Sequence, residues 1–132
     1  YLIAQLMGAI AGVTIAHIMF GLPLFSLSLH PRSGAAQVFS EFIATFGLLL
    51  VIRGTLLRPS LIPFAVGAYI TAAYWFTAST SFANPAVTLA RSFTNTFTGI
   101  RPADVAPFVA AQLFAALAAT IVCRWIFSSN SD

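Results

Sequence analysis

Lysine is absent from this chain, and acidic residues are confined to Glu41, Asp104 and Asp132. Charged side chains make up 7% of the 132 residues against 59% apolar ones, whereas a soluble domain spends about a quarter of its residues on charge. So little charge cannot coat a water-exposed surface, which excludes an ordinary soluble fold. Six arginines leave a formal net charge of +3, too few and too scattered for a nucleic-acid interface. The one cysteine, Cys123, cannot form an intrachain disulfide or a thiolate metal site and reads as a packing residue. No nucleophile, metal cluster or phosphate cradle stands out, so neither enzyme activity nor a cofactor is expected. The chain also lacks an initiator methionine and a signal-peptide pattern. It opens inside an apolar run at Tyr1-Leu2-Ile3-Ala4 and is expected to be truncated.

What remains is long and apolar. A bilayer core takes about 20 mostly apolar residues in helix, and residues 2–20, 37–57, 61–77 and 105–127 qualify as four spans. Residues 21–36, with breakers at Pro23, Pro31 and Gly34 and polar side chains at His30 and Arg32, read as a loop at a membrane surface. The link Arg58-Pro59-Ser60 is short, so the second and third spans are expected to be adjacent and antiparallel. Small residues stud the first and last spans, where they allow close approach of helix backbones in lipid.

Residues 78–101 are too polar to span and too long and apolar for a bare loop. Asn84 is a good N-cap and Pro85 suits the first helical position, so a half-length helix is expected over residues 84–95, dipping into the membrane and returning. With its oxygen capping the first turn, Asn84 keeps its amide NH₂ as a donor along the helix axis, where solute oxygens can meet it. The helix start also carries partial positive charge, which opposes cations while neutral solutes feel little. Residues 79–83 are expected to run extended and present carbonyls, leaving their N–H groups in need of an acceptor. Glu41 is the only carboxylate inside a span and the natural candidate, since an unpaired intramembrane charge costs about 3 kcal/mol or more. The alternative places Glu41 at the bilayer surface or in an oligomer contact. Gln5 and Gln112 read as interhelical hydrogen-bond glue rather than solute ligands.

The first and last spans match in size and polarity from Tyr1 against Phe108 to Gly12 against Ala119, with Gln5 opposite Gln112. Channels and transporters are often built from two such halves in opposite orientation. On that register the counterpart of Asn84 falls before residue 1.

Ser81-Phe82-Ala83-Asn84-Pro85-Ala86-Val87-Thr88 resembles the second Asn-Pro-Ala loop of the major intrinsic protein family, the aquaporins and aquaglyceroporins, and Glu41-Phe42-Ile43-Ala44-Thr45-Phe46 resembles its fourth helix. The resemblance implies an all-α membrane protein: an aquaporin-like bundle carrying helices three to six, with one re-entrant half-helix over 84–95, an incomplete fold without the first pore motif. It further implies a channel for water and small neutral solutes such as glycerol. It supports Glu41 as organiser of the loop, Asn84, Pro85 and Ala86 as the pore motif, and a homotetramer in the bacterial inner membrane. Its selectivity filter would fall at Ala72, Ser81 and Val87. The family's usual arginine is replaced by Val87, and Arg91 follows four residues later on the same helix face, about 6 Å farther out. Three small uncharged side chains imply a wide constriction suited to glycerol-sized solutes. Val87 with a later arginine also resembles channels associated with bacterial arsenic resistance, which pass uncharged metalloid hydroxides.

Two other readings stand beside this one. A complete four-helix drug/proton antiporter would use Glu41 as a shared proton and cation site, but leaves residues 78–101 without a role. A truncated, non-conducting remnant fits a chain that holds half of a pore. His17 reads as a satisfied packing histidine and His30 as solvent-facing. Tyr74, Trp75, Trp125 and Phe127 read as interfacial anchors. Arg53, Arg58 and Arg124 on one side against Arg32 and Arg101 on the other place the cytoplasm with the first group.

Overall fold

The structure is a computed structural model that describes residues 1–128; Asp132, one of the three acidic residues, lies outside the described residues. The chain forms α1 (Leu2–Met19), α2 (Ala35–Thr55), a 3₁₀ turn (Pro59–Leu61), α3 (Ile62–Phe76), α4 (Pro85–Arg91) and α5 (Pro102–Ser128). No strand occurs among the described residues. The helices Leu2–Met19 and Ala35–Thr55 and the stretch Pro102–Phe127 are long and apolar enough to cross a membrane. The chain is therefore an all-helical, multi-pass membrane bundle. The third expected span is the 15-residue α3 with the 3₁₀ turn ahead of it. Prolines set its start, and Thr77 leaves the helix in extended backbone at its end.

The core is the seam between α2 and α5. A stripe of Phe108, Ala111, Gln112, Ala115, Ala119 and Cys123 on α5 is buried at helical spacing, against Glu41, Ala44 and Thr45 of α2. Alanines at these positions let the two backbones approach closely. Both helices start at one end of the bundle, where the Arg32 N–H donates to Asp104 Oδ2 at 2.9 Å. At the far end Arg53 and Arg124 line one crevice. In α3, Tyr69 donates to the Ala44 carbonyl at 2.9 Å, an approach that Gly47 permits because a Cβ there would meet the Tyr69 ring and hydroxyl. Most of α1 is exposed, and Trp75 and Trp125 present large apolar faces outward.

Residues 21–36 are expected as a surface loop; residues 20–34 are irregular and mostly exposed, and they dock along residues 92–101. Ser26 and Ser28 donate backbone N–H groups to the Phe93 and Ser92 carbonyls at 3.1 and 2.9 Å, and Arg101 N–H donates to the His30 carbonyl at 2.8 Å. His17 anchors the start of this strap: its Nδ1 lies 2.5 Å from the Pro23 carbonyl and its Nε2 2.7 Å from Thr94 Oγ1.

Candidate functional site

Asn84 adopts extended backbone and caps α4, its Oδ1 accepting from Ala86 N–H at 2.8 Å. Pro85 follows at the first helical position, where no N–H is needed. The Asn84 carbonyl accepts from both the N–H and the hydroxyl of Thr88, at 2.9 and 3.0 Å. The helix ends at Arg91, after seven residues. It is shorter than the expected 84–95, because the Ser92 and Phe93 carbonyls turn out to receive the 20–34 strap.

The segment before Asn84 departs from the expected extended run. Thr80, Ser81 and Ala83 have φ of 61°, 51° and 50°, left-handed values that cost roughly 1–2 kcal/mol per non-glycine residue. Such turns swing successive N–H groups inward, and the buried groups around them supply the acceptors. Glu41, fully buried on α2, accepts from Phe82 N–H at 3.2 Å and from Ala83 N–H. Ser40 Oγ accepts from Ser79 N–H at 3.2 Å. Gln112 of α5 donates to Glu41 Oε1 at 2.8 Å and to Thr88 Oγ1 at 2.7 Å. One carboxylate and one amide therefore hold α2, α4, α5 and the segment at residues 79–83 together. Such a network fixes geometry because each removed partner strands a buried polar group.

The four candidate filter positions divide. Val87 and Arg91 line a cavity of about 710 Å³, walled by the small face of α1 at Ala9, Gly12 and Ala16 and by the turn at residues 94–98. Ser81 is buried, with its hydroxyl unpartnered. Ala72 is exposed on α3, and neither it nor Ser81 borders that cavity. Arg91 stacks 4.3 Å from the Phe82 centroid and its Nη2 donates to the Tyr74 hydroxyl at 2.5 Å. Tyr74, expected as an interfacial anchor, is thus half-buried as an arginine partner. Gln5 is half-buried in α1 with no side-chain hydrogen bond among the described residues.

Arg32 is the residue that sequence reasoning missed. The residue is 3% exposed, and its guanidinium donates to the carbonyls of Gly99, Ser79 and Phe97 at 2.7, 2.9 and 2.9 Å. Burial pushes its pKa down, and the nearby Arg91 charge pushes it further the same way, against opposing pulls from Tyr74 and Glu41. No local signal marked it, since its partners lie 47 to 67 residues away.

Among known proteins, the chain is 56% identical over 127 residues to the aquaglyceroporin AqpS of Rhizobium meliloti (strain 1021). The match takes in 96% of the chain. Over that stretch the chain is similar to an aquaglyceroporin. It spans about half the length of that curated relative, 54%. No family model matches it, and no solved structure does. The similarity is to a porin by its name and not to an enzyme. That similarity speaks against the antiporter reading, which the Glu41 geometry disfavours independently. A carboxylate already accepting from Phe82, Ala83 and Gln112 has little left to offer a transported proton or cation.

Proposed function

We propose that this chain supplies one half of an aquaglyceroporin-type channel for passive passage of water and small neutral solutes, glycerol and uncharged metalloid hydroxides among them. In this reading α4 is a re-entrant half-helix, Asn84-Pro85-Ala86 is the pore motif, and the whole protein is a homotetramer in the inner membrane. The observation that carries the proposal is the Glu41 network, which spends a buried carboxylate on holding a strained segment in front of the Asn84 cap. A helix cap alone needs no such support. With Asn84 Oδ1 engaged by Ala86, the amide nitrogen is the group that remains to meet a solute oxygen. Half-buried Val87 and the sideways placement of Arg91 against Tyr74 favour a wide constriction over one narrowed to water.

The test is swelling of liposomes holding the full encoded protein, with water, glycerol and an uncharged metalloid acid compared side by side. Glycerol and metalloid entry well above empty liposomes is expected. Water entry alone would remove the wide-filter reading and leave a strict water channel.

A further inference from the structure

Arg32 stands outside the pore motif and the filter positions, on a loop whose composition marks a surface, yet it is among the most buried charges in the chain. Two features do not fit a simple strap. A neutral amide could tie neighbouring carbonyls without bringing charge into a membrane protein. And the charge sits beside another: Arg32 and Arg91 lie 4.9 and 4.3 Å from the same Phe82 ring centroid. Like charges stay this close only where other groups hold each of them. Three carbonyls and the Phe82 ring hold Arg32, while the Tyr74 hydroxyl and the same ring hold Arg91. Arg91 and Phe97 border the cavity, and Arg32, which does not, donates to the Phe97 carbonyl.

We propose that Arg32 is a selectivity-setting positioning residue: its fork pins Ser79 to the 97–99 turn, and its charge keeps Arg91 on the cavity side and adds to the positive field a cation meets there. The proposal rests on the channel reading above. Val87 leaves the filter position without charge, so two arginines set back from it supply the repulsion, and the opening stays wide enough for neutral solutes.

The experiment compares the full encoded protein with Arg32→Gln and Arg32→Lys in liposomes at matched protein amounts. It measures glycerol swelling, proton leak with an internal pH dye, and potassium leak with an ion-selective electrode. Arg32→Gln is expected to raise both leaks by about tenfold, within the range by which a focused field alters local ion concentration. Arg32→Lys should keep both leaks at the unmodified level, because the charge remains. Glycerol entry should fall by no more than about threefold in either variant, since an ammonium or amide replaces only part of the fork. Unchanged leaks in Arg32→Gln, or equal leaks in the two variants, would overturn the proposal and leave Arg32 a structural strap. If Arg32→Gln does not reach the liposomes, the neutral Arg32→Asn takes its place: leaks about tenfold above those of Arg32→Lys uphold the proposal, and leaks equal to those of Arg32→Lys refute it. Absence of glycerol swelling in the unmodified protein would refute the channel reading itself, and it shows before any variant is compared.

Discussion

At the scale of single residues, Glu41 and Arg32 solve the same problem from opposite signs. Each brings a charge into a buried place and satisfies it with backbone groups of the segment before Asn84. Glu41 stands out in the sequence because a lone carboxylate in an apolar run has to find donors. Arg32 does not, because it sits among loop residues and its partners are fixed only by the tertiary fold. Glu41→Ala should strand the N–H groups of Phe82 and Ala83 at about 1–3 kcal/mol each, lowering solute flux chiefly by disordering that segment. Glu41→Gln should be milder, since its carbonyl still accepts. Swelling at matched protein amounts checks both, and normal flux in a normally abundant Glu41→Ala protein would refute the loop-organising role. Val87→Arg tests the filter. It adds bulk and a cation-repelling group at the constriction, so glycerol and metalloid entry should fall far more than water entry. Arg91→Ala belongs in the same assay. If Arg91→Ala alone abolishes selectivity while Val87→Arg changes nothing, Arg91 is the filter and the wide-constriction reading fails.

At the scale of elements, helix existence was legible and the irregular segments were not. Apolar runs of span length mark α1, α2 and α5 because lipid demands continuous helix. The Asn-Pro pair marks the start of α4 because both residues suit the first turn. Its early end at Arg91 left no such mark, being dictated by the docked 20–34 strap. The left-handed turns at Thr80, Ser81 and Ala83 were equally hidden, since none of these residues favours that conformation on its own. They persist because Glu41, Ser40 and Arg32 over-determine the path. Two glycines give a contrast at this scale. A Cβ on Gly99 would strike the Thr94 carbonyl and the Ser28 hydroxyl, and the backbone atom cannot move aside. A Cβ on Gly47 would meet the far end of the Tyr69 side chain, which can swing away at the loss of its bond to Ala44. Gly99→Ala should therefore destabilise by about 1–3 kcal/mol as an overpacking change, and Gly47→Ala by about 1 kcal/mol, the worth of one hydrogen bond. Thermal melting of the detergent-solubilised protein ranks them, and equal melting temperatures would contradict the Gly99 packing argument.

For the molecule as a whole, the match between the first and last spans bears on how the proposed channel would be completed. On α5, Ala115 and Ala119 are fully buried against α2, and Gln112 bonds to Glu41 and Thr88. Their counterparts on α1 are Gly8, Gly12 and Gln5. Gly8 and Gly12 have open space where a Cβ would point, and Gly12 borders the cavity that Val87 and Arg91 also face. On that match α1 would offer this small-residue face to a second set of helices, as α5 offers its own to α2. The part of the rhizobial relative outside the match is the natural donor for such a set, since the matched part is 56% identical over 127 residues. The 132-residue chain reconstituted alone should give no glycerol swelling above empty liposomes, since α1 and α4 wall the cavity on only part of its circumference. Fused to the part of the relative outside the match, the same chain should conduct glycerol, and Glu41→Ala in the fusion should lower that conduction. Swelling by the chain alone would show that one half suffices, against the two-half assembly. A fusion that reaches the liposomes intact yet conducts nothing would favour the non-conducting remnant, because the α1 face would then fail to meet the surface that the repeat assigns to it.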